Sequence, residues 1–127
     1  LDAPLWCAFY DTLGLSGILS AGSTANNDVN IDVVGDLPTA CSSEFLIAVT
    51  ATNNADVRTF SGYGQTTVDL GAPGEDVRTT AAGGGYTTTS GTSFASPATA
   101  LRIVGSNLTF RSRTSSTNGA QRNIQWC

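Results

Sequence analysis

Seven consecutive residues, Gly91-Thr92-Ser93-Phe94-Ala95-Ser96-Pro97, combine a tight-turn glycine, small side chains and hydroxyls at what reads as the start of a helix. A serine in that place can attack a carbonyl, because small neighbours let a substrate approach and the positive end of the helix favours a developing oxyanion. In this reading Ser93 is the nucleophile, with Gly91 and Ala95 making room for it. A serine hydroxyl is weakly nucleophilic until a base takes its proton, and the 127 residues contain no histidine. The plain alternative is one more hydroxyl in a Ser/Thr-rich loop, since residues 87–92 are almost all small and polar.

The elements that would position this serine follow from periodicity. Leu5, Trp6, Phe9 and Leu13 recur at helical spacing, Asp2 can cap, and Pro4 sits in the first turn, which predicts a short helix from Ala3 to Leu13 ending at Gly14. Residues 15–21 form a short apolar run bounded by glycine and read as a buried parallel strand. A polar loop, 22–38, precedes a second apolar run, 45–50, read as the next strand. Short strands at 57–60, 67–70 and 77–80, broken by Ala72-Pro73-Gly74 and Gly83-Gly84-Gly85, lead to a helix opened by Ser93.

Composition narrows the function classes. Charged residues make up 13% of the chain against 40% hydrophobic, which suits a globular domain. A net charge of −4 and the absence of lysine argue against a nucleic-acid or anionic-membrane partner, which would need clustered basic groups. The start, Leu1-Asp2-Ala3-Pro4, has neither a basic leader nor a long apolar stretch and reads as the interior of a longer chain. Cys7, Cys41 and Cys127 allow one disulfide with one free thiol or three reduced thiols, and their spacing matches no metal site. A lysine-free chain rich in Ser, Thr and Gly suits an exported protein of the bacterial, extracytoplasmic kind.

The heptapeptide resembles, nearly position by position, the subtilase (peptidase S8) motif G-T-S-[hydrophobic]-A-[small]-P, with Gly91, Thr92, Ala95 and Pro97 as supporting positions. Phe60-Ser61-Gly62-Tyr63-Gly64, Val68 to Gly74 and Gly85-Tyr86 follow the family's order toward its serine. Pro38-Thr39-Ala40 before residues 45–52 is similar to its Pro-Ala turn and strand, and Ser20-Ala21-Gly22 to its Ala-Ala-Gly strand end. The resemblance implies a subtilisin-like α/β fold: a partial parallel sheet with flanking helices, truncated on the N-terminal side. It divides the chain into residues 1–97, the C-terminal part of a catalytic domain, and 98–127, a divergent, basic and poorly ordered tail. It also implies serine-type endopeptidase activity on polypeptide substrates, with a triad in the order Asp, His, Ser.

Departures from the family pattern matter as much. With no histidine present, the triad base and its aspartate are expected from a missing N-terminal part of the same domain, and this chain alone is expected to be inactive. Where the family usually has its oxyanion asparagine after the glycine, Ser23 stands; Ser23 is either the donor there or a plain turn residue, and Asn26 and Asn27 lie near but out of step. No cofactor is implied. Calcium is conceivable in a complete domain, yet 26–36 lacks an EF-hand pattern and reads as a solvated loop.

All ten acidic residues precede position 77, whereas Arg102, Arg111, Arg113 and Arg122 follow Pro97. A reading-frame change and a divergent natural C-terminus both fit that break. Asn107-Leu108-Thr109 matches an N-glycosylation sequon, and Arg102 falls where the family would bury its helix. Two function classes stand: an endopeptidase fragment, and a non-catalytic protease-like module that binds partners. A free-standing hydrolase using Asp69 or Glu75 as base is poor chemistry, because a carboxylate is too weak a base for a hydroxyl near neutral pH.

Overall fold

The computed structural model describes residues 3–105. In chain order it contains α1 (Pro4–Leu15), β1 (Ser20–Ser23), α2 (Ile31–Val34), β2 (Leu46–Thr52), β3 (Leu70–Pro73), β4 (Val77–Thr80), β5 (Tyr86–Thr89) and α3 (Thr92–Gly105). Strands β1, β2 and β3 form a parallel sheet in that order, with Ala21 beside Ile47 and Val49 beside Leu70. Strands β4 and β5 make a separate antiparallel hairpin. This is the expected α/β arrangement of a parallel sheet with flanking helices.

The middle strand explains the core. All seven residues of β2 are buried, as a parallel strand covered on both faces requires. Ile47, Val49 and Ala51 point to one face and pack with Ala72 and Ala95, while Leu19, Ala21, Phe60, Leu70 and Ile103 close the rim. On the other face, beside the buried Leu46 and Ala48, the hydroxyls are satisfied: the Thr50 hydroxyl donates to the Gly62 carbonyl at 2.7 Å, and the Ser61 hydroxyl lies 3.0 Å from the Ala51 carbonyl. Buried hydroxyls cost stability unless so paired.

Helix α1 runs to Leu15 instead of ending at Gly14, and the strand after it begins only at Ser20. The stop is Gly17, at φ +83°, in a Schellman closure: Gly17 N–H donates to the Gly14 carbonyl (2.9 Å) and Ile18 N–H to the Leu13 carbonyl (3.0 Å). Gly14 serves packing instead, since a Cβ there would fall 1.8 Å from the Phe45 ring. Pro4 opens the helix as expected, but the N-cap is Ala3 with no side-chain cap, and Asp2 lies outside the described residues. Cys7 and Cys41 form a disulfide, Cα atoms 5.0 Å apart; Cys127 is outside the described residues.

The strand expected at 57–60 is absent, because Asn53 Oδ1 takes the N–H groups of Ala55 (2.9 Å) and Val57 (3.0 Å) and winds the chain into a turn. The strand expected from Thr67 starts at Leu70, for Thr66 and Thr67 give their N–H groups to the Asp32 carboxylate. Ala72-Pro73, read as a breaker, ends β3, which is an edge strand among the described residues, where a missing N–H is tolerated. Strand β4 matches its expected bounds.

Helix α3 continues past Pro97 to Gly105, so residues 98–105 of the expected tail are helical. Arg102, expected in a buried position, is on the exposed side, and Ile103 turns toward the core. The rest of the expected tail, with the sequon, lies outside the described residues.

Candidate active site

The start of α3 is held by three separate segments. Gly91 N–H donates to the Gly74 carbonyl (2.7 Å), tying the serine loop to the end of β3. Gly74 is the position that must lack a side chain: a Cβ would fall 2.6 Å from Ala51 Cβ and 2.9 Å from the Gly91 carbonyl oxygen. A Cβ on Gly91 would make only ordinary contacts within the chain, at 3.6–3.7 Å, so the tight approach here is at Gly74. Ala95 is fully buried in the core, and its small side chain lets the helix approach the sheet instead of clearing a path for substrate.

Thr92, Ala95, Ser96 and Thr99 recur at i, i+3, i+4 and i+7, the face of α3 turned to the sheet. Their hydroxyls are all engaged: Thr92 lies 2.5 Å from the Thr24 carbonyl, Ser96 donates to the Ala21 carbonyl at 2.8 Å, and Thr99 to the Ala95 carbonyl at 3.1 Å. Ser90 Oγ, just before the helix, accepts from Asp76 N–H at 3.0 Å. Ser93 points the other way. It is exposed, and its hydroxyl makes no hydrogen bond among the described residues. Pro97, four residues on, has no N–H to give the Ser93 carbonyl.

Asn26 reaches the same place from the end of β1. Its Oδ1 accepts from Thr92 N–H at 2.8 Å and lies 3.0 Å from the Thr92 hydroxyl. That hydroxyl has one proton and the Thr24 carbonyl is closer, so it donates there. Because Thr92 N–H can only donate, the atom facing it must be the amide oxygen, and the Asn26 NH₂ group is therefore turned away from Thr92. Ser23, the residue in the expected position, is the last residue of β1, half-buried and paired with Val49 in the ladder.

Residues 10–104 match the subtilase family. The chain belongs to the subtilase family. The match extends beyond Pro97 almost to the end of α3, in keeping with the continuous helix. Among solved structures, the self-cleaved protease domain of PatA is similar at 30% identity and a TM-score of 0.63, covering 79% of this chain and 37% of that one. A serine-to-alanine mutant of the same protease domain is similar at 26% identity and a TM-score of 0.65, covering 78% and 35%. The prenylagaramide maturation protease PagA shares the fold at 24% identity and a TM-score of 0.64, covering 82% and 40%. No curated protein matches the chain. This subtilase segment thus spans 35–40% of the length of these solved chains.

The polar stretch between β1 and β2 uses its carboxylates internally. Asp28 pairs with Arg58 at 2.6 Å, and Asp36 Oδ2 accepts from Ala25 N–H and the Thr39 hydroxyl. Asp32 takes N–H groups from Gln65 (2.7 Å), Thr66 (3.1 Å) and Thr67 (2.9 Å). Hydrogen bonding from the Thr67 side chain, and then from Thr66 and Gln65, holds the Asp32 carboxyl well below the usual carboxylate range. Among the described residues no cluster of three acid, cysteine or histidine side chains could hold a metal.

Asn26 was visible in the sequence but three places beyond the family's position. The sequence signal is the run Ser23-Thr24-Ala25 that stands between Gly22 and the first asparagine.

Proposed function

We propose that this segment carries the nucleophile and the oxyanion donors of a subtilisin-like serine endopeptidase, with Ser93 attacking the scissile carbonyl of a polypeptide. The observation that carries the reading is the division of hydroxyls at α3: those turned to the sheet are bonded, and Ser93 alone in the motif faces outward with its hydroxyl unengaged by the described residues. Ser93 Oγ bonds to the carbonyl carbon while its proton passes to a histidine outside these 127 residues. The oxyanion is met by N–H groups at the start of α3 and by the Asn26 amide, with Asn26 taking the role expected of Ser23. Collapse then expels the amine with that proton and leaves an acyl-serine for water to hydrolyse.

On this reading the chain alone is inactive, because nothing in it serves as the base. No cofactor takes part in these steps. The Cys7–Cys41 disulfide supports an exported, extracytoplasmic location, where such bonds persist. The competing reading, a non-catalytic protease-like binding module, draws on the displacement of the asparagine from its usual position.

The test is labelling by a fluorophosphonate probe of this chain alone and of the same chain mixed with an N-terminal subtilase segment supplying the aspartate and histidine. Labelling in the mixture only, abolished by Ser93→Ala, is the expected result. No labelling in either sample would favour the binding module.

A further inference from the structure

The stretch that delivers Asn26 leaves the sheet early. Thr24 N–H still donates to the Val49 carbonyl (3.0 Å), continuing the ladder beyond β1, but Ala25 and Asn26 have no strand partner. An asparagine directly after Gly22 would be held by the ladder; one at 26 stands on a loop and needs its own brace. Ala25 is braced on both sides. Its carbonyl accepts from Gly62 N–H at 2.8 Å, and its N–H donates to Asp36 Oδ2 at 2.9 Å.

Asp36 is itself well fixed. Its Oδ2 also accepts from the hydroxyl of Thr39, a buried residue, at 2.8 Å, and its carbonyl accepts from Ala40 N–H at 2.6 Å. Cys41, next in the chain, is buried and joined by the disulfide to α1. A hydrogen bond from a backbone N–H to a carboxylate is shorter and stronger than a neutral one. Its donor here is the residue adjoining Asn26.

We infer that Asp36 is a positioning residue for the reaction, holding Ala25 so that the Asn26 amide keeps its place against Thr92, the residue preceding Ser93. This rests on the assignment of Asn26 as an oxyanion donor. A misplacement of about 1 Å at such a donor costs on the order of 10²-fold in rate, so a brace one residue away acts on turnover more than on substrate binding.

The experiment uses the full-length protease containing this segment, with turnover of a peptide substrate expressed per titrated active site. Asn26→Ala is expected to lower kcat by about 10²- to 10³-fold, the magnitude established for the corresponding donor of subtilisin itself. Asp36→Ala is expected to lower kcat by roughly 10-fold or more, with KM changed by less than about 3-fold. Asp36→Asn, which keeps an oxygen to accept from Ala25 and Thr39, recovers most of the loss. In the Asn26→Ala background Asp36→Ala adds nothing, because the group it positions is gone. Thr39→Val keeps the shape of the turn while removing one brace on Asp36, and provides the same cycle if the alanine variant does not fold. Losses that multiply in the double variant, or an Asp36→Ala enzyme with lower thermal stability but unchanged kcat per active site, would overturn the inference while leaving Asn26 in its role. An Asn26→Ala enzyme with undiminished kcat would overturn both.

Discussion

Helices α3 and α1 have similar lengths and opposite relations to the sheet. Helix α3 lays Thr92, Ala95 and Thr99 against β1, β2 and β3 with nearly no residual exposure. Helix α1 has no buried residue; Leu5 is 88% exposed and Leu15 84%, and Trp6 and Phe9 are more than half exposed. It is held by a covalent bond, Cys7 to Cys41, by the Ser43 hydroxyl donating to Asp11 Oδ1 at 2.6 Å, and by Gly14 seated under Phe45. One helix is fixed by packing and the other by point attachments. Ser93, the proposed nucleophile, rides on the packed one, where small neighbours and satisfied hydroxyls give a rigid footing.

The largest effect in this comparison falls on α1. Replacing Cys7 and Cys41 by serine removes the cross-link over a separation of 34 residues and is expected to cost roughly 3–4 kcal/mol of stability. Denaturant unfolding of the full-length protein measures it, and fluorophosphonate labelling of Ser93 in the folded variant should be unchanged. Labelling that fell with the disulfide would show that the two helices are coupled. A smaller effect is expected on α3: Ala95→Val forces two methyl groups between Gly74 and the sheet and should cost about 1–3 kcal/mol. Leu5→Val on α1, the matched control, should stay within about 0.5 kcal/mol in a sample where that face is uncovered. A large loss at Leu5 would mean that another part of the protein covers α1.

The same contrast accounts for what was legible in the sequence. Strand β2 and the serine helix were readable because they are specified locally, one by a continuous apolar run and the other by a dense motif. The strand misplaced at 57–60 and the late start of β3 were not, since side chains decide them: Asn53 winds one segment into a turn, and Asp32, more than thirty residues away, takes the N–H groups of the other. Ser23 and Asn26 differ for a related reason. Register in sequence names the first, whereas Thr92 N–H holds the Asn26 side chain and contacts from Gly62 and Asp36 hold Ala25 next to it. Gly91 and Ala95 were correctly singled out as small, but which of their neighbours needed the space depended on the approach of Gly74, which no local pattern encodes.

The smallest expected effect tests whether the long-range carboxylate braces are stabilising in their own right. Asp32 binds three consecutive N–H groups of the loop before β3, and its carboxyl is held below the usual range chiefly by the Thr67 side chain. A group whose pKa is depressed in the folded state stabilises fully above its unfolded value, about 3.9, and that contribution is lost as pH falls toward the folded value. The urea midpoint of the full-length protein should therefore decline below about pH 4 more steeply than that of Asp32→Asn. At neutral pH the variant should be the less stable of the two, by a modest margin, because Asp32 is exposed and solvent screens its bonds. Parallel curves for the two proteins from pH 6 to pH 2 would mean that the loop is held by its backbone contacts and that the carboxylate only follows it.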